Sequence, residues 1–312
     1  MVRENKKPAT LMAAIRYFDK DTAESFCKRI KWPEGPVCPQ CGSMNIGEIK
    51  SRNRYQCREK GCRRQFSLLT DTIFQGTHLR LDQWIVGIWM IANCRNGVSS
   101  CEIARTIDCK QPSAWHLMHR IRHLFDNLEL PEITGLVESD STFVGGLVKF
   151  MRWEARERAL ASGRFGKTVV HAIKERRTGK VRAKVIPTNE SKHVRQHLLE
   201  NVRVGSPLYT DESTVYNFAE YSYIHRRVNH KKTYVKGTVH TNGCENFFNC
   251  LRRALKGTYI KPTPGHMNAY VNEATFRFNI RDMNEWERFE AAMRLIVGKR
   301  LTYSELTGGK TR

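Results

Sequence analysis

Four cysteines near the N-terminus restrict what this chain can fold into more than any other feature. Cys38-Pro-Gln-Cys41-Gly sets two thiols in a tight turn, and Cys57 and Cys62 follow as a wider second pair. Two such pairs can meet tetrahedrally around one ion, and thiolate ligands at this spacing select Zn²⁺. Asn45 to Lys50 and Arg54 to Gln56 lie between the pairs and read as a short hairpin. The spacing therefore predicts a zinc ribbon, with Cys38, Cys41, Cys57 and Cys62 on a structural zinc. So small a module cannot bury a sufficient core of its own, and metal binding supplies the missing folding free energy. The other six of the ten cysteines, Cys27, Cys94, Cys101, Cys109, Cys244 and Cys250, are scattered and read as small apolar fillers. No secretory signal is visible at the N-terminus, so a reducing, cytoplasmic setting is expected rather than a disulfide scaffold.

Charge narrows the partner. Lys and Arg number 53 against 31 acids, a formal net charge of +22. Such a surface attracts polyanions and binds them with a steep salt dependence. Arg52, Arg54, Arg58, Lys60, Arg63 and Arg64 crowd the ribbon and are expected on DNA phosphates. A membrane is not expected as partner. The apolar stretch Trp84 to Ala92 is too short to span one and runs into Asn93 and Arg95. The basic residues are spread along the chain rather than gathered on one amphipathic helix.

Residues 10–31 read as one or two short helices, with Asp21-Thr-Ala-Glu24 resembling a capping box. Leu79 to Ile91 carries apolar residues at helical spacing and ends at Asn96-Gly97. Ser99 or Ser100 then caps a short helix with Ile103, Ala104 and Ile107. A second helix from Ser113 holds His116, His119, Arg120, Arg122 and His123. Short helix, tight turn and basic helix have the form of a helix-turn-helix DNA reader. Pro131 marks a boundary, beyond which strands and helices alternate. Leu136 to Gly146 reads as a strand ending in a glycine turn, with Asp140 within it or at its end. Residues 149–166 are basic without a strand pattern and read as loop or disorder. Lys167 to Ile173 and Val181 to Ile186 form a hairpin about Arg177-Thr-Gly179. A polar helix over 190–200, a strand from Pro207 ending in Asp211, a helix over 215–220 and a strand over 223–228 follow. The basic segment Asn229-His-Lys-Lys leads into the last element of interest.

That element is a helix within Val239 to Tyr259, opening at Thr241 or Asn242 and stopping at Gly257. At about 100° per residue, Asn242, Glu245, Asn249 and Arg252 share one stripe, and Phe247, Phe248, Leu251 and Leu255 share the other, with Cys244 beside them. Asp140, Asp211 and Glu245 thus arrive from two strands and a helix in order. Three converging carboxylates repel one another unless divalent cations neutralise them. Hard oxygen ligands suit Mg²⁺ or Mn²⁺, and a metal pair about 3.5–4 Å apart serves phosphodiester chemistry. Arg252 and Lys256, further along the helix, could contact phosphate near the scissile bond.

These residues together resemble an insertion-sequence transposase of the IS1595 type, with its ISXO2-like transposase domain. The matching positions are Cys38-Pro-x-Cys41 with Cys57 and Cys62, Ala104 with the segment Ala114-Trp115 to Arg122, and Asp140-x-Thr-x-x-Gly-Gly146. They continue with Thr210-Asp211-Glu212, Val228-Asn-His230, His240-Thr-Asn-x-x-Glu245-x-Phe, Gly257-Thr-Tyr259 and Phe276-Arg-Phe-Asn279. The resemblance spans roughly residues 15 to 285. It implies an α/β chain, with an RNase H-like mixed-sheet catalytic domain behind a zinc ribbon and a small helix-turn-helix-like domain. It also implies two-metal cleavage and strand transfer of transposon ends into target DNA, an oligomer on DNA, and a nucleoid-associated location. Carried over by residue, the acid triad is Asp140, Asp211 and Glu245. Arg252 stands at the family's basic position, and Asn242 is a second candidate for the third ligand. Four positions depart from the pattern: Ser141 for an acid, His171 for a small residue, Phe248 for tryptophan and Arg252 for lysine. The first two motivate an alternative, a DNA-binding regulator or domesticated transposase that no longer cuts. An RNase H-like nuclease without strand transfer is a third reading. The expected boundaries are 10–75 for the N-terminal helix and ribbon, 76–130 for the helical region, 131–290 for the catalytic domain and 291–312 for a C-terminal tail.

Overall fold

Helical periodicity, strand alternation and the cysteine pairs resolve into ten helices and eight strands among the described residues. The helices are α1 (Leu11–Tyr17), α2 (Lys20–Lys31), α3 (Leu81–Asn93), α4 (Ser100–Thr106), α5 (Gln111–His123), α6 (Ser191–Leu199), α7 (Asn242–Arg253), α8 (Met267–Asn279), α9 (Glu285–Met293) and α10 (Tyr303–Thr307). The strands are β1 (Ile46–Ile49), β2 (Arg54–Cys57), β3 (Gln65–Phe66), β4 (Val137–Val144), β5 (Thr168–Glu175), β6 (Val181–Ile186), β7 (Pro207–Asp211) and β8 (Ile224–Val228). The computed structural model describes residues 7–126, 128, 130–145, 153–154, 156–157, 167–228, 240–260 and 262–308. Most of the basic stretch 149–166 and all of Asn229-His-Lys-Lys lie outside them. Two compact units emerge: residues up to Asp126 together with those from Arg281 on, and residues from 127 to Ile280.

The first unit is built around α3, buried on nearly every side from Trp84 to Ala92, as a helix without a polar face must be. Phe289 of α9 packs its ring 5.2 Å from Trp89, 5.4 Å from Phe18 and 5.6 Å from Phe26. Ile73 N–H donates to the Ile296 carbonyl at 3.2 Å, and Gly298 N–H to Asp71 at 3.0 Å. Two expected boundaries therefore change. Residues 281–290, expected in the 131–290 domain, group with the first unit, and among the described residues of the expected 291–312 tail Met293 and Ile296 join Trp286 and Phe289 in that unit's core.

Two local expectations also change. Helix α2 is capped by Asp19, whose carboxylate accepts from the N–H groups of Asp21 (3.2 Å) and Thr22 (2.8 Å), rather than by an Asp21–Glu24 box. Glu24 pairs with Lys28 at 2.9 Å instead. Helices α4 and α5 form, with Ser99 capping α4 reciprocally with Glu102. The basic side chains of α5, however, are mostly interior: His119, Arg120 and Arg122 are all buried. Arg120 lies 5.0 Å over the Trp84 ring and donates to the Gln75 carbonyl at 2.7 Å. These residues hold the unit together and present no face to DNA. What α5 exposes is its start, at Gln111, Pro112 and Ser113.

The second unit is a mixed five-stranded sheet in the order β6-β5-β4-β7-β8. β6, β5 and β4 pair antiparallel, and β4, β7 and β8 pair parallel. Both faces are covered. Val144, Val170 and Ala172 pack against Phe247, Phe248 and Leu251 of α7 and Val271 and Phe278 of α8. Val137, Val169 and Ile173 pack on the other side against Val194 and Leu198 of α6 and Tyr216. Helix α8 also covers the outer edge of β6. The Asn279 side chain accepts from Val181 N–H (2.7 Å) and donates to its carbonyl (2.8 Å), and Asn268 accepts from Val185 N–H (3.1 Å). A strand edge so paired is closed to other chains.

Candidate active site

Alternation along β4 decides which side chains meet α7. Successive residues point to opposite faces of a strand, so Glu138, Asp140, Thr142 and Val144 share the α7 side while Val137, Ser139 and Ser141 share the α6 side. Asp140 thus stands mid-strand, and not at a strand end. β4 and β7 run parallel in the register Glu138↔Tyr209. Two residues on from that pair lie Asp140 and Asp211, at the same level of neighbouring strands. Asp211 ends β7, where its carboxylate accepts from Ser213 N–H at 3.1 Å.

Helix α7 begins at Asn242 with Thr241 in the cap position, and its faces divide as the spacing predicts. Cys244, Phe247, Phe248 and Leu251 are buried, while Asn242, Glu245 and Asn249 are exposed. The helix does not run as an α-helix to Gly257. It widens over Ala254–Thr258 into a π-helical turn, which keeps Ala254 and Leu255 buried and brings the Tyr259 hydroxyl onto the fully buried Glu273, itself paired with Arg277. Arg252 reaches back to the sheet: it donates to Thr142 Oγ1 at 2.6 Å and to Asn249 at 3.0 Å. Because Thr142 is the next residue on Asp140's face, this puts a guanidinium beside the acids.

The acids sense one another. Burial above all, and then the charges of Asp211 and Glu245, push the Asp140 carboxyl from its usual 3.8 up to about 7. They do so against the Ser141 N–H, which donates to Asp140 at 2.7 Å, and the nearby Arg252. Glu245 is the acid of α7 whose charge reaches Asp140, as Arg252 is the base. Asn242 lies at the helix start, and Lys256 is exposed on the following turn. Three carboxylate donors with one held towards neutrality fit a hard divalent cation, whose charge would reverse the cause of the shift. Among the described residues, the group whose ligand atoms close on a single ion is the thiol quartet, all within 4.8 Å of one another; the three carboxylates are not gathered to that degree.

In the first unit, Cys38 and Cys62 sulfurs lie 3.6 Å apart, as do those of Cys41 and Cys57. Burial opposes ionisation of Cys38, but the N–H groups of Cys41 and Gln40 and the neighbouring thiols bring it down to about 7, favouring thiolate. The hairpin pairs Ile46 with Cys57 and Ile49 with Arg54. Arg52, Arg54, Arg58, Lys60, Arg63 and Arg64 are all exposed around it.

Sequence reasoning passed over Glu138 and Arg176. Glu138 is buried and pairs with Arg176 at 2.7 Å. A charge two residues before Asp140, in an interior strand, was the available signal. The Ser141 and His171 departures prove to be register partners across β4 and β5. His171 bonds Ser139 (2.8 Å) and His197 (2.7 Å) on the α6 side, away from Asp140.

The mixed sheet and the thiol quartet define a zinc-ribbon protein with an α/β domain, and its similarity to known proteins gives the class, a transposase. The ISXO2-like transposase domain matches residues 132–279 and the IS1595 transposase zinc-ribbon domain residues 19–65. A protein of Halobacterium salinarum described as lying in transposable element ISH50 is 24% identical over 260 residues, covering 78% of this chain and 86% of that protein. A transposase-like protein of Haemophilus influenzae is 31% identical over 101 residues, 32% of this chain and 81% of its own length. The chain belongs to the IS1595-type family of insertion-sequence transposases. No helix among the described residues is long and apolar enough to cross a membrane.

Proposed function

We propose that this chain is an active DNA transposase that cuts a phosphodiester at the end of an insertion sequence and joins the freed end to target DNA. Asp140, Asp211 and Glu245 hold divalent cations, Mg²⁺ or Mn²⁺, two per site. When bound, these supply the Lewis acidity and positive charge that in-line phosphoryl displacement requires. The arrangement that carries the reading is Asp140 and Asp211 on adjacent parallel strands, with Arg252 of α7 bonded to Thr142 on the face of Asp140; burial and the charges of Asp211 and Glu245 raise the Asp140 carboxyl accordingly. Such a cluster opposes folding and is an expected signature of a site that binds something cationic. In the first step water adds to phosphorus and the 3′-oxygen leaves, giving a 3′-hydroxyl and a 5′-phosphate. In the second, that 3′-hydroxyl forms a bond to a target phosphorus, loses its proton, and displaces the target's own 3′-oxygen.

Arg252, held by Thr142 and Asn249, is assigned to phosphate contact, and Glu245, whose charge reaches Asp140, is taken as the third ligand rather than Asn242. The strand order, three antiparallel and two added in parallel beside the first, supports an RNase H-like assignment. Ribbon arginines and the exposed start of α5 are the proposed contacts to element ends. Synapsis of two ends calls for an oligomer on DNA, at a nucleoid-associated location. The non-cutting alternative drew on Ser141 and His171, which lie on the sheet face opposite to Asp140 and remove no ligand. The test is incubation of the protein with linear element-end DNA and Mg²⁺ or Mn²⁺. Metal-dependent nicking and joined products are expected from the native sequence, and neither from Asp140→Asn. Absence of nicking by the native protein would overturn the function, and nicking by the variant would overturn the site.

A further inference from the structure

We propose that Glu138 and Arg176 form a positioning pair that holds the three carriers of the acid cluster in register, and thereby sets the affinity of the site for divalent cation. This rests on the proposed function. The pair touches each carrier two residues before its acid. On β4, Glu138 precedes Asp140 on the same face. On β7, Tyr209 precedes Asp211, and its ring lies 4.9 Å beneath the Arg176 guanidinium. On α7, Gly243 precedes Glu245, and its N–H donates to Glu138 Oε2 at 2.7 Å.

The chemistry of each contact is suited to locating rather than merely filling. Glu138 is 1% exposed, so its carboxylate depends on these partners for its hydrogen bonds. Gly243 lies in the first turn of α7, where helical N–H groups lack partners and an anion is favoured. Arg176 Nε donates to Glu138 Oε1 at 2.7 Å, while its Nη2 donates to the His240 carbonyl at 3.0 Å, so one planar fork spans strand and helix entry. His240 Nδ1 stands 3.4 Å from the same carboxylate oxygen. Position 243 is crowded by the ends of two side chains. A Cβ there would come within 2.6 Å of Glu138 Oε2 and of Lys174 Cδ and Nζ. Glycine lets the first turn of α7 close on the Glu138 carboxylate, which fixes the entry point of the element bearing Glu245.

A clamp serving only stability would lower melting temperature and leave the cation affinity of the folded protein unchanged. The two roles separate in Glu138→Gln, which keeps the shape but not the charge, in Gly243→Ala, which crowds the Glu138 carboxylate, and in Arg176→Lys, which keeps the charge but not the fork. Mn²⁺ binding is measured directly, without DNA or turnover, by the electron paramagnetic resonance signal of the free ion. The Mn²⁺ concentration for half-maximal nicking is measured in parallel. Each folded variant is expected to bind Mn²⁺ about 10- to 100-fold more weakly. Excess Mn²⁺ should recover nicking, and metal-free affinity for end DNA should stay within about threefold. Glu138→Gln combined with Gly243→Ala should be little worse than the worse single change, since both act through one contact. Should Glu138→Gln fail to fold, Gly243→Ala and Arg176→Lys carry the test. Native-like Mn²⁺ binding in the folded variants would overturn the positioning role while Asp140→Asn remained inactive. An inactive native protein, or an active Asp140→Asn, would instead overturn the site itself.

Discussion

Replacing Asp140 by asparagine should make the protein more stable in the absence of Mg²⁺ and Mn²⁺ while abolishing its chemistry. Asn keeps the size and an oxygen able to accept the Ser141 N–H, and removes a charge that burial and two neighbouring acids disfavour. The folded carboxyl titrates at about 7 against 3.8 for an ordinary aspartate. A raised acid pKa means that the folded state binds the proton more tightly, so stability is fully present below the unfolded value and falls as pH rises towards the folded one. At about 1.4 kcal/mol per unit, the native protein loses up to about 4 kcal/mol at pH 8.5 and about 2 kcal/mol at pH 5.5. These are upper limits, because Asp140 keeps some access to solvent. Asparagine loses nothing at either pH, so its advantage should double between them. Urea unfolding of both proteins at the two pH values, zinc retained, measures the difference, from which the behaviour of the thiol quartet cancels. Added Mn²⁺ should then raise the stability of the native protein and not of the variant. An asparagine variant that is less stable at pH 8.5, or whose advantage is the same at both pH values, would refute the account of Asp140 as a strained ligand.

Arg252→Ala should reduce the nicking rate about 100-fold, the scale of removing one charge-stabilising donor, with Arg252→Lys intermediate; end-point nicking time courses at saturating Mn²⁺ decide, and an unaffected rate would separate Arg252 from the reacting phosphate. Cys38→Ser should release zinc, read by elemental analysis, and expose the ribbon amides to hydrogen exchange while those of β4 to β7 remain protected. The triple change Arg52→Ala, Arg54→Ala, Arg64→Ala should reduce the slope of log affinity against log salt by up to about 3, near 0.9 for each phosphate no longer neutralised; equilibrium binding to end DNA across a salt series checks it, and an unchanged slope would place DNA elsewhere.

Much of this architecture was legible because it is local. Cysteine spacing gives the ribbon, the strands that carry Asp140 and Asp211 show as short runs in the sequence, and the two faces of α7 follow from a period of 3.6 residues. What failed was long-range. Arg120 and Arg122 look like DNA contacts on a helical projection, yet α5 is wrapped by α3 and α4, and Arg120 is interior beside Trp84. Likewise Trp286 and Phe289 follow α8 without any break in composition. Only their aromatic partners Phe18, Phe26 and Trp89, some two hundred or more residues earlier, reveal that they belong to the first unit. The Glu138–Arg176 pair was hidden for the same reason. Its partners come from two strands and a helix, and no periodicity links them.

β4 itself shows why Asp140 is singled out. A strand covered on both faces is expected to be a continuous apolar run, yet residues 138 to 142 read Glu-Ser-Asp-Ser-Thr. Interior polar groups are tolerable when bonded, and most of these are. Glu138 has Arg176 and Gly243, Ser139 has His171, and Thr142 has Arg252. Among the described residues nothing bonds the Ser141 hydroxyl, a small neutral deficit on the far face. Asp140 carries the large one. Its carboxylate accepts from the backbone of the very next residue, and the nearest guanidinium directs its own bonds to Thr142 and Asn249. A chain able to bond Glu138 on the same face of the same strand could have done so for Asp140. Among the described residues Arg252 offsets part of the Asp140 charge, and under the proposed function a cation shared with Asp211 and Glu245 supplies the rest.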